Sequence, residues 1–211
     1  MAYIAKTAFE VKISNHEFDS IANITGIYQG TPSTNEVCSA GFLCVRSILT
    51  DCEGYTNVGP TGSTVTLKNG NTWYMAPATA DKLAHEGIYA CNPFDVNMVT
   101  DPVTGAVYKS GSNTLGLAAP AGYPTTYTQI LFNNVNVYRF GEGNISGTVG
   151  SNTRFTIANG LLAPAAAAPT ANGAPYFELV RTGNFTQGAY NGFAYYDLRA
   201  CMTVAQVSTG G

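Results

Sequence analysis

The side chains able to do chemistry are few and far apart. There are two histidines among 211 residues, His16 in an Asn-His-Glu context and His85 beside Glu86. Neither falls in an H-x-x-x-H pattern or near a G-x-S-x-G element. An imidazole needs a positioned partner to do acid–base work, and no spacing here supplies one. The carboxylates fall into loose pairs: Asp51 with Glu53, Asp81 with Glu86, Asp95 with Asp101. Glycoside hydrolysis needs two facing carboxylates about 5–10 Å apart, a geometry that only the fold can assemble. The enzymatic alternative is therefore a hydrolase built on such a pair, with Asp95, Asp101 and Glu142 as the residues to replace. Asp95, Asn97 and Asp101 also carry the oxygen ligands calcium prefers, but the EF-hand pattern is absent. Solvated loop carboxylates are the expectation for all of them.

No G-x-G-x-x-G occurs; Gly141 and Gly143 flank Glu142 without opening a helix, so no dinucleotide site is implied. The five cysteines are Cys38, Cys44, Cys52, Cys91 and Cys201. Their count is odd and no C-x-x-C pair is present, against the close ligand pairs of zinc sites. Free, mostly buried thiols are expected, with a disulfide from Cys38 to Cys44 or Cys52 as the alternative. No catalytic, cofactor-binding or metal-ligating residue is assigned, no cofactor is implied, and the chain reads as a non-enzyme.

Thirteen tyrosines are present, and Tyr123, Tyr127, Tyr138, Tyr176, Tyr190, Tyr195 and Tyr196 gather in the second half. Tyrosines of this kind pack on sheet faces and tolerate wet edges. Alternatively, an exposed set stacks on sugar rings or a partner protein, with Asn133, Asn134, Asn136 and Asn144 adding amide contacts. The triplets starting at Asn23, Asn144 and Asn184 match the glycosylation pattern and are read as chance.

Composition narrows the partners. Charged residues make up 11% of the chain, against about 25% in a typical domain; polarity comes from Asn, Thr, Ser and Gly instead. Such a surface suits large packed interfaces, because burying charge is costly. Net charge is −3 and no Lys/Arg cluster occurs, so nucleic acid, whose phosphates demand cations, is not an expected partner. No apolar run reaches the roughly 20 residues of a membrane span. The opening MAYIAKTAFEVKI already alternates as a strand and lacks the layout of a signal peptide, so synthesis and folding in the cytoplasm are expected.

The elements that must position these residues are strands. The long C-terminal run Ala194–Val204 alternates strictly. Tyr196, Leu198, Ala200, Met202 and Val204 share one face; Tyr195, Asp197, Arg199, Cys201 and Thr203 share the other. Period-two patterning of this kind marks a strand with one buried face, and Asp197 and Arg199 are placed to pair on its polar side. Ala8–Ile13 reads as the first strand. Ala40–Leu49 is apolar on both faces and reads as a central strand buried on both sides. Asn69-Gly70 predicts a tight hairpin within Val65–Met75, and Asn159-Gly160 another within Arg154–Pro164. Tyr127–Phe132 and Val135–Phe140 read as a strand pair around Asn133-Asn134. Further strands are expected at Gly87–Cys91, Ala106–Lys109 and Tyr176–Thr182. Short helices are expected at Asn15–Ala22 and within Ala76–Gly87, capped at Thr79. Pro164–Pro175 is low-complexity and reads as an extended surface loop, because alanines between prolines cannot nucleate a helix. Strands spaced by turn signals with one or two short helices predict an all-β fold, a mainly antiparallel sandwich or barrel. Residues 1–211 read as a single β-rich domain with a soft seam near 111–124.

Several phrases carry a resemblance. NPFDVN (92–97), TLGLAAPAG (114–122), YRFGEGN (138–144), RFTIANGLLAPAAAAPTANGAPYFELV (154–180) and YYDLRAC (195–201) resemble small virion structural proteins of tailed phages and prophages of gut Firmicutes, of the capsid decoration or head-associated type. The resemblance covers most of the chain from Gly87 to Cys201 and contains no catalytic motif. It implies a β-rich module that binds the assembled phage head, as a homotrimer or at local symmetry axes, with the major capsid protein as partner and the virion as its location. Ser39–Leu49 is similar to the shell-anchoring strands of cement proteins. Met1–Ile13 and Pro164–Pro175 are the expected contact segments. The alternative within the virion is a tail-tube, adaptor or host-glycan-binding head fibre protein. A bacterial surface or filament subunit exported without a cleaved signal is the remaining reading.

Overall fold

The computed structural model describes residues 6–13, 23–28, 37–46, 56–58, 64–66, 72–78, 87–93, 98–100, 107–109, 118–120, 124–186 and 191–203. The protein is all-β. Among the described residues the helical content is one 3-10 turn, Glu142–Asn144. The helix expected at Asn15–Ala22 lies outside the described residues, as does most of the one expected within Ala76–Gly87. The start of the latter is instead strand, since Ala76 and Pro77 end an extended segment.

Six strands form one antiparallel sheet in the order β1 (Phe9–Ile13), β13 (Val137–Gly141), β17 (Ala194–Met202), β16 (Pro175–Asn184), β14 (Arg154–Ala158) and β15 (Leu161–Ala165). A closed barrel follows the cyclic order β12 (Pro124–Ile130), β2 (Asn23–Tyr28), β7 (Thr72–Pro77), β4 (Leu43–Arg46) and β8 (Ile88–Cys91). Its pairings are antiparallel apart from the parallel β2–β7 contact. Three two-stranded ribbons complete the described chain: β3 (Val37–Ser39) with β11 (Ala118–Pro120), β5 (Thr56–Val58) with β6 (Thr64–Thr66), and β9 (Met98–Thr100) with β10 (Val107–Lys109).

Two cores result, and β4 explains why both of its faces are apolar. Leu43 and Val45 join Ala76, Ala78, Ile88, Ala90 and Ile130 on the outside of the barrel. There they pack against Phe9, Tyr138, Phe140, Phe155, Phe177, Leu198 and Ala200 from one face of the large sheet. Cys44 points the other way, into the barrel, among Tyr28, Cys38, Met75, Tyr89, Cys91 and Tyr127. The expectation of a strand buried on both sides therefore holds for Leu43–Arg46; Ala40 and Gly41 form a turn, Phe42 precedes the strand, and 47–49 lie outside the described residues. Gly26 makes the barrel interior possible, because a Cβ there would overlap Met75 and Tyr127 at 2.5–2.9 Å.

The long C-terminal strand runs Ala194–Met202 and keeps its expected core face only in its middle: Met202, expected inward, is exposed, and Asp197 and Cys201, expected on the polar face, are buried. Leu198 and Ala200 are fully buried in the shared core with Tyr196 against it. The hairpin at Asn159-Gly160 forms as expected, with φ of 48° and 80° at its two turn residues. Gly160 also lies under the Phe42 ring, where any Cβ would collide.

The turn expected at Asn69-Gly70 lies outside the described residues. The other expected hairpin does not form: β12 belongs to the barrel and β13 to the large sheet, so Asn133-Asn134 is a crossover and not a hairpin turn. The Asn133 side chain accepts from the Val135 and Asn136 amides at 3.0 Å, and Asn134 takes a positive φ of 63°. An asparagine pair of this kind turns the chain locally whatever the next strand pairs with.

Candidate interaction surface

On the face of the large sheet turned away from the core, Asp197 is the centre of a charge network. In register it stands opposite Arg139 on β13 and Arg181 on β16. Both guanidiniums reach it: Arg139 Nε and Nη2 donate to its two oxygens at 2.7 and 3.0 Å, and Arg181 donates at 2.8 and 3.1 Å. The expected Asp197–Arg199 pairing is not among these contacts. Residues two apart on one strand are farther from each other than directly opposed residues on neighbouring strands, at about 4.5–5.5 Å between Cβ atoms. Burial alone pushes the Asp197 carboxyl upward in pKa; the bonds and charges of Arg139 and Arg181 outweigh it and hold it below the usual aspartate value. Arg139 also lies 3.7 Å over the Tyr195 ring, whose other close aromatic neighbour is Phe185 at 5.3 Å. Glu10 adds a contact to Arg139 at 3.6 Å. The charges on this face are thus largely spent on one another.

Glu142, at the 3-10 turn, binds Lys6 at 2.7 Å and accepts the Ala194 amide at 2.8 Å. Burial raises its pKa, and Lys6 with the Ala194 N–H more than offsets that. It is thereby committed to holding the chain before β1 against the start of β17. Next to it, Asn144 is buried and fully employed. Its Oδ1 accepts from Ala8 and Gly141 at 3.0 and 3.1 Å, and its Nδ2 donates to the Ala40 carbonyl at 2.8 Å. One amide therefore fastens one end of the β1–β13 pair, through both chains, to the turn that feeds the barrel.

The opposite end of the sheet is different in kind. There Val135 and Met202 are exposed at 45% and 41%, close together because the Asn134 side chain accepts the Met202 amide at 3.3 Å. The Ala/Pro segment after β15 returns to this end. Thr203 holds it there: its hydroxyl donates to the Ala171 carbonyl and accepts from Ala174 N–H, while its backbone bonds Gly173 and Ala174 at 2.9 and 3.0 Å. Ala166, Ala167 and Thr170–Gly173 are exposed. None of residues 133–136, 165–175 or 200–203 carries a charge. The low-complexity run expected as an extended surface loop is one, but it is pinned to the sheet.

Inside the barrel, the thiols of Cys38, Cys44 and Cys91 are buried and free. Cys91 stands opposite Tyr127 in register, and Cys44 stands opposite Tyr89, two residues before Cys91. Cys91 Sγ lies 3.3 Å from the Cys38 carbonyl oxygen. The Tyr127 hydroxyl is buried with no regular hydrogen-bond partner among the described residues, and it sits beside Cys38. Burial pushes all three thiols up. At Cys38 the donors Cys44, Cys91 and Tyr127 converge and counter that push, so its proton is the most easily lost of the three.

Of the residues singled out from sequence, His16, His85, Asp51, Glu53, Asp81, Glu86, Asp95, Asn97, Asp101, Cys52, Tyr123 and Tyr190 lie outside the described residues. Tyr127 and Tyr138 are fully buried, and Tyr176, Tyr195 and Tyr196 are partly covered. Asn133, Asn134 and Asn144 serve turns and backbone. Among the described residues no group of three or more His, Cys, Asp or Glu side chains is arranged to hold a metal ion, and no helix is long and apolar enough to cross a membrane. Sequence reasoning missed Arg139, Arg181 and the Asn144 linchpin. The alternation of Tyr138, Arg139 and Phe140 gives Arg139 its face, but only strand order gives it Asp197. The class the fold and surface define is an all-β protein with a barrel docked on a sheet. A scan against family models finds no match, and searches of the curated proteins and of the solved structures find none either.

Proposed function

We propose that this chain is a non-enzymatic structural protein of a phage virion, a capsid decoration (cement) protein that binds the assembled head. The observation that carries the reading is the uncharged, apolar end of the large sheet, where Val135, Met202 and the pinned Ala/Pro segment lie together. A surface of this kind is desolvated cheaply, and pinning the segment beforehand lowers the ordering cost of binding. The outer strands β1 and β15 add backbone edges that no other described strand pairs with, on which a shell protein can extend the sheet. Many copies on one shell then hold by avidity. The partner is the major capsid protein, and the decorating unit is a homotrimer.

The test is co-sedimentation with shells assembled from a major capsid protein encoded beside this chain. Saturable binding with three copies per site supports the reading. Failure to bind, or a six-fold ring in isolation, removes it in favour of a tail-tube or adaptor part. Binding to arrayed host glycans in place of shells would point to a head fibre.

A further inference from the structure

We infer that Cys38 and Cys91 form a peroxide-responsive dithiol inside the barrel, closing to a disulfide that ties β3 to β8. The pair is built for it in three respects. First, the Cys91 sulfur already lies against the Cys38 backbone, 3.3 Å from its carbonyl oxygen. Closing the link asks the Cys91 sulfur to turn from that oxygen to the Cys38 sulfur. The backbone around the pair is fixed: Gly41 N–H donates to the Cys91 carbonyl, and Cys91 N–H donates to the Phe42 carbonyl. Second, the Tyr127 hydroxyl is buried beside the Cys38 sulfur and makes no regular hydrogen bond among the described residues, so its proton is not committed elsewhere. Third, Cys38 sits on a short ribbon beside the barrel. β3 is three residues long, pairs among the described residues with β11 alone, and leaves Val37 half exposed. Short ribbons of this kind open locally at low cost, and a hydroperoxide as small as hydrogen peroxide needs little room.

The chemistry balances. The Cys38 sulfur attacks one peroxide oxygen, the O–O bond breaks, and Cys38 becomes a sulfenic acid. The leaving hydroxide takes a proton from Tyr127, which recovers it from the thiol proton Cys38 released, giving water. The Cys91 sulfur then attacks the Cys38 sulfur, the S–O bond breaks, and the departing hydroxide combines with the Cys91 proton as a second water. Two thiols are oxidised and one peroxide is reduced. Cys44 also lies against Cys38; the bond is assigned to Cys91 because its sulfur is the one seated on the Cys38 backbone.

The experiment uses the full chain, reduced, then treated with one equivalent of hydrogen peroxide and alkylated in denaturant for peptide mapping. A linked Cys38–Cys91 peptide pair with Cys44 alkylated is the expected result. Tm should rise by about 5–15 °C and return with dithiothreitol. Cys44→Ser keeps the link, Cys91→Ser abolishes it, and Tyr127→Phe slows its formation several-fold while leaving the end point unchanged. Mapping in which all three thiols are alkylated, or in which Cys38 is joined to Cys44, overturns the inference. The wild-type map decides even where a variant fails to fold.

Discussion

Asp197 is held by two arginines of unequal standing. Arg139 is nearly buried, with its side chain 13% exposed, while Arg181 is 60% exposed. Removing the carboxylate strands Arg139 over Tyr195 in a partly dry site, and breaking such a pair costs several kcal/mol. Asp197→Asn should therefore destabilise the protein by roughly 2–4 kcal/mol in urea unfolding, whereas Arg181→Ala should cost at most about 1 kcal/mol. The acid limb supplies a second readout. The folded pKa of Asp197 is lowered, so its contribution is complete above the unfolded value near 3.9 and drains away as pH falls through the lower folded value. The wild type should lose stability in that window and Asp197→Asn should lose less; identical acid profiles would mean the network contributes nothing. This network also marks a limit of sequence reading. The alternation Tyr195–Thr203 assigns Asp197 to the polar face correctly, yet nothing local says which strands flank it.

At the scale of elements, one amide links three segments. Asn144→Ala leaves the Ala8 and Gly141 amides and the Ala40 carbonyl without their partner. At about 1–3 kcal/mol for each buried group left unsatisfied, the loss should be about 3 kcal/mol or more. Hydrogen exchange should show it first in β1, which among the described strands pairs with β13 alone. Gly160→Ala combines a φ of 80° with a clash against Phe42 and should lower the urea midpoint by an amount equal to roughly 1–3 kcal/mol. What was legible at this scale follows a physical divide. Strands and their faces come from side-chain period, which is local, so β1, β4, β8, β10, β16 and β17 could be placed. The Asn159-Gly160 hairpin was legible because its two strands do pair with each other. Asn133-Asn134 carries similar turn chemistry but misled, because pairing is settled by which distant edges compete for the strand. The linchpin Asn144 was invisible for a related reason: its partners Ala8 and Ala40 are brought to it only by the fold.

For the whole molecule, the surface divides into a face whose charges are neutralised internally and an end that is apolar and uncharged. The double variant Val135→Glu/Met202→Glu places two like charges at that end. Because both positions are exposed, folding stability should change by less than about 0.5 kcal/mol per site. Co-sedimentation with shells should fall at least tenfold; unchanged binding would move the contact elsewhere, to an open strand edge first of all. Light scattering should give a mass three times 22.2 kDa for the decorating unit, and a monomer that also fails to assemble on shells would remove the trimer. The shared core between barrel and sheet was not legible from the sequence, since each apolar face announces only that it is covered, not by what.

The large sheet is assembled from β1 and from strands that all follow Leu131, with the whole barrel encoded in between. On the ribosome, Phe9 therefore emerges long before Phe140, the residue it will face. Until then its hydrophobic strand must wait unpartnered while the barrel strands arrive. A cell making this protein quickly thus carries nascent chains with a sticky leading strand. Slowing translation before the β13 codons should lengthen that wait and raise the fraction that clumps.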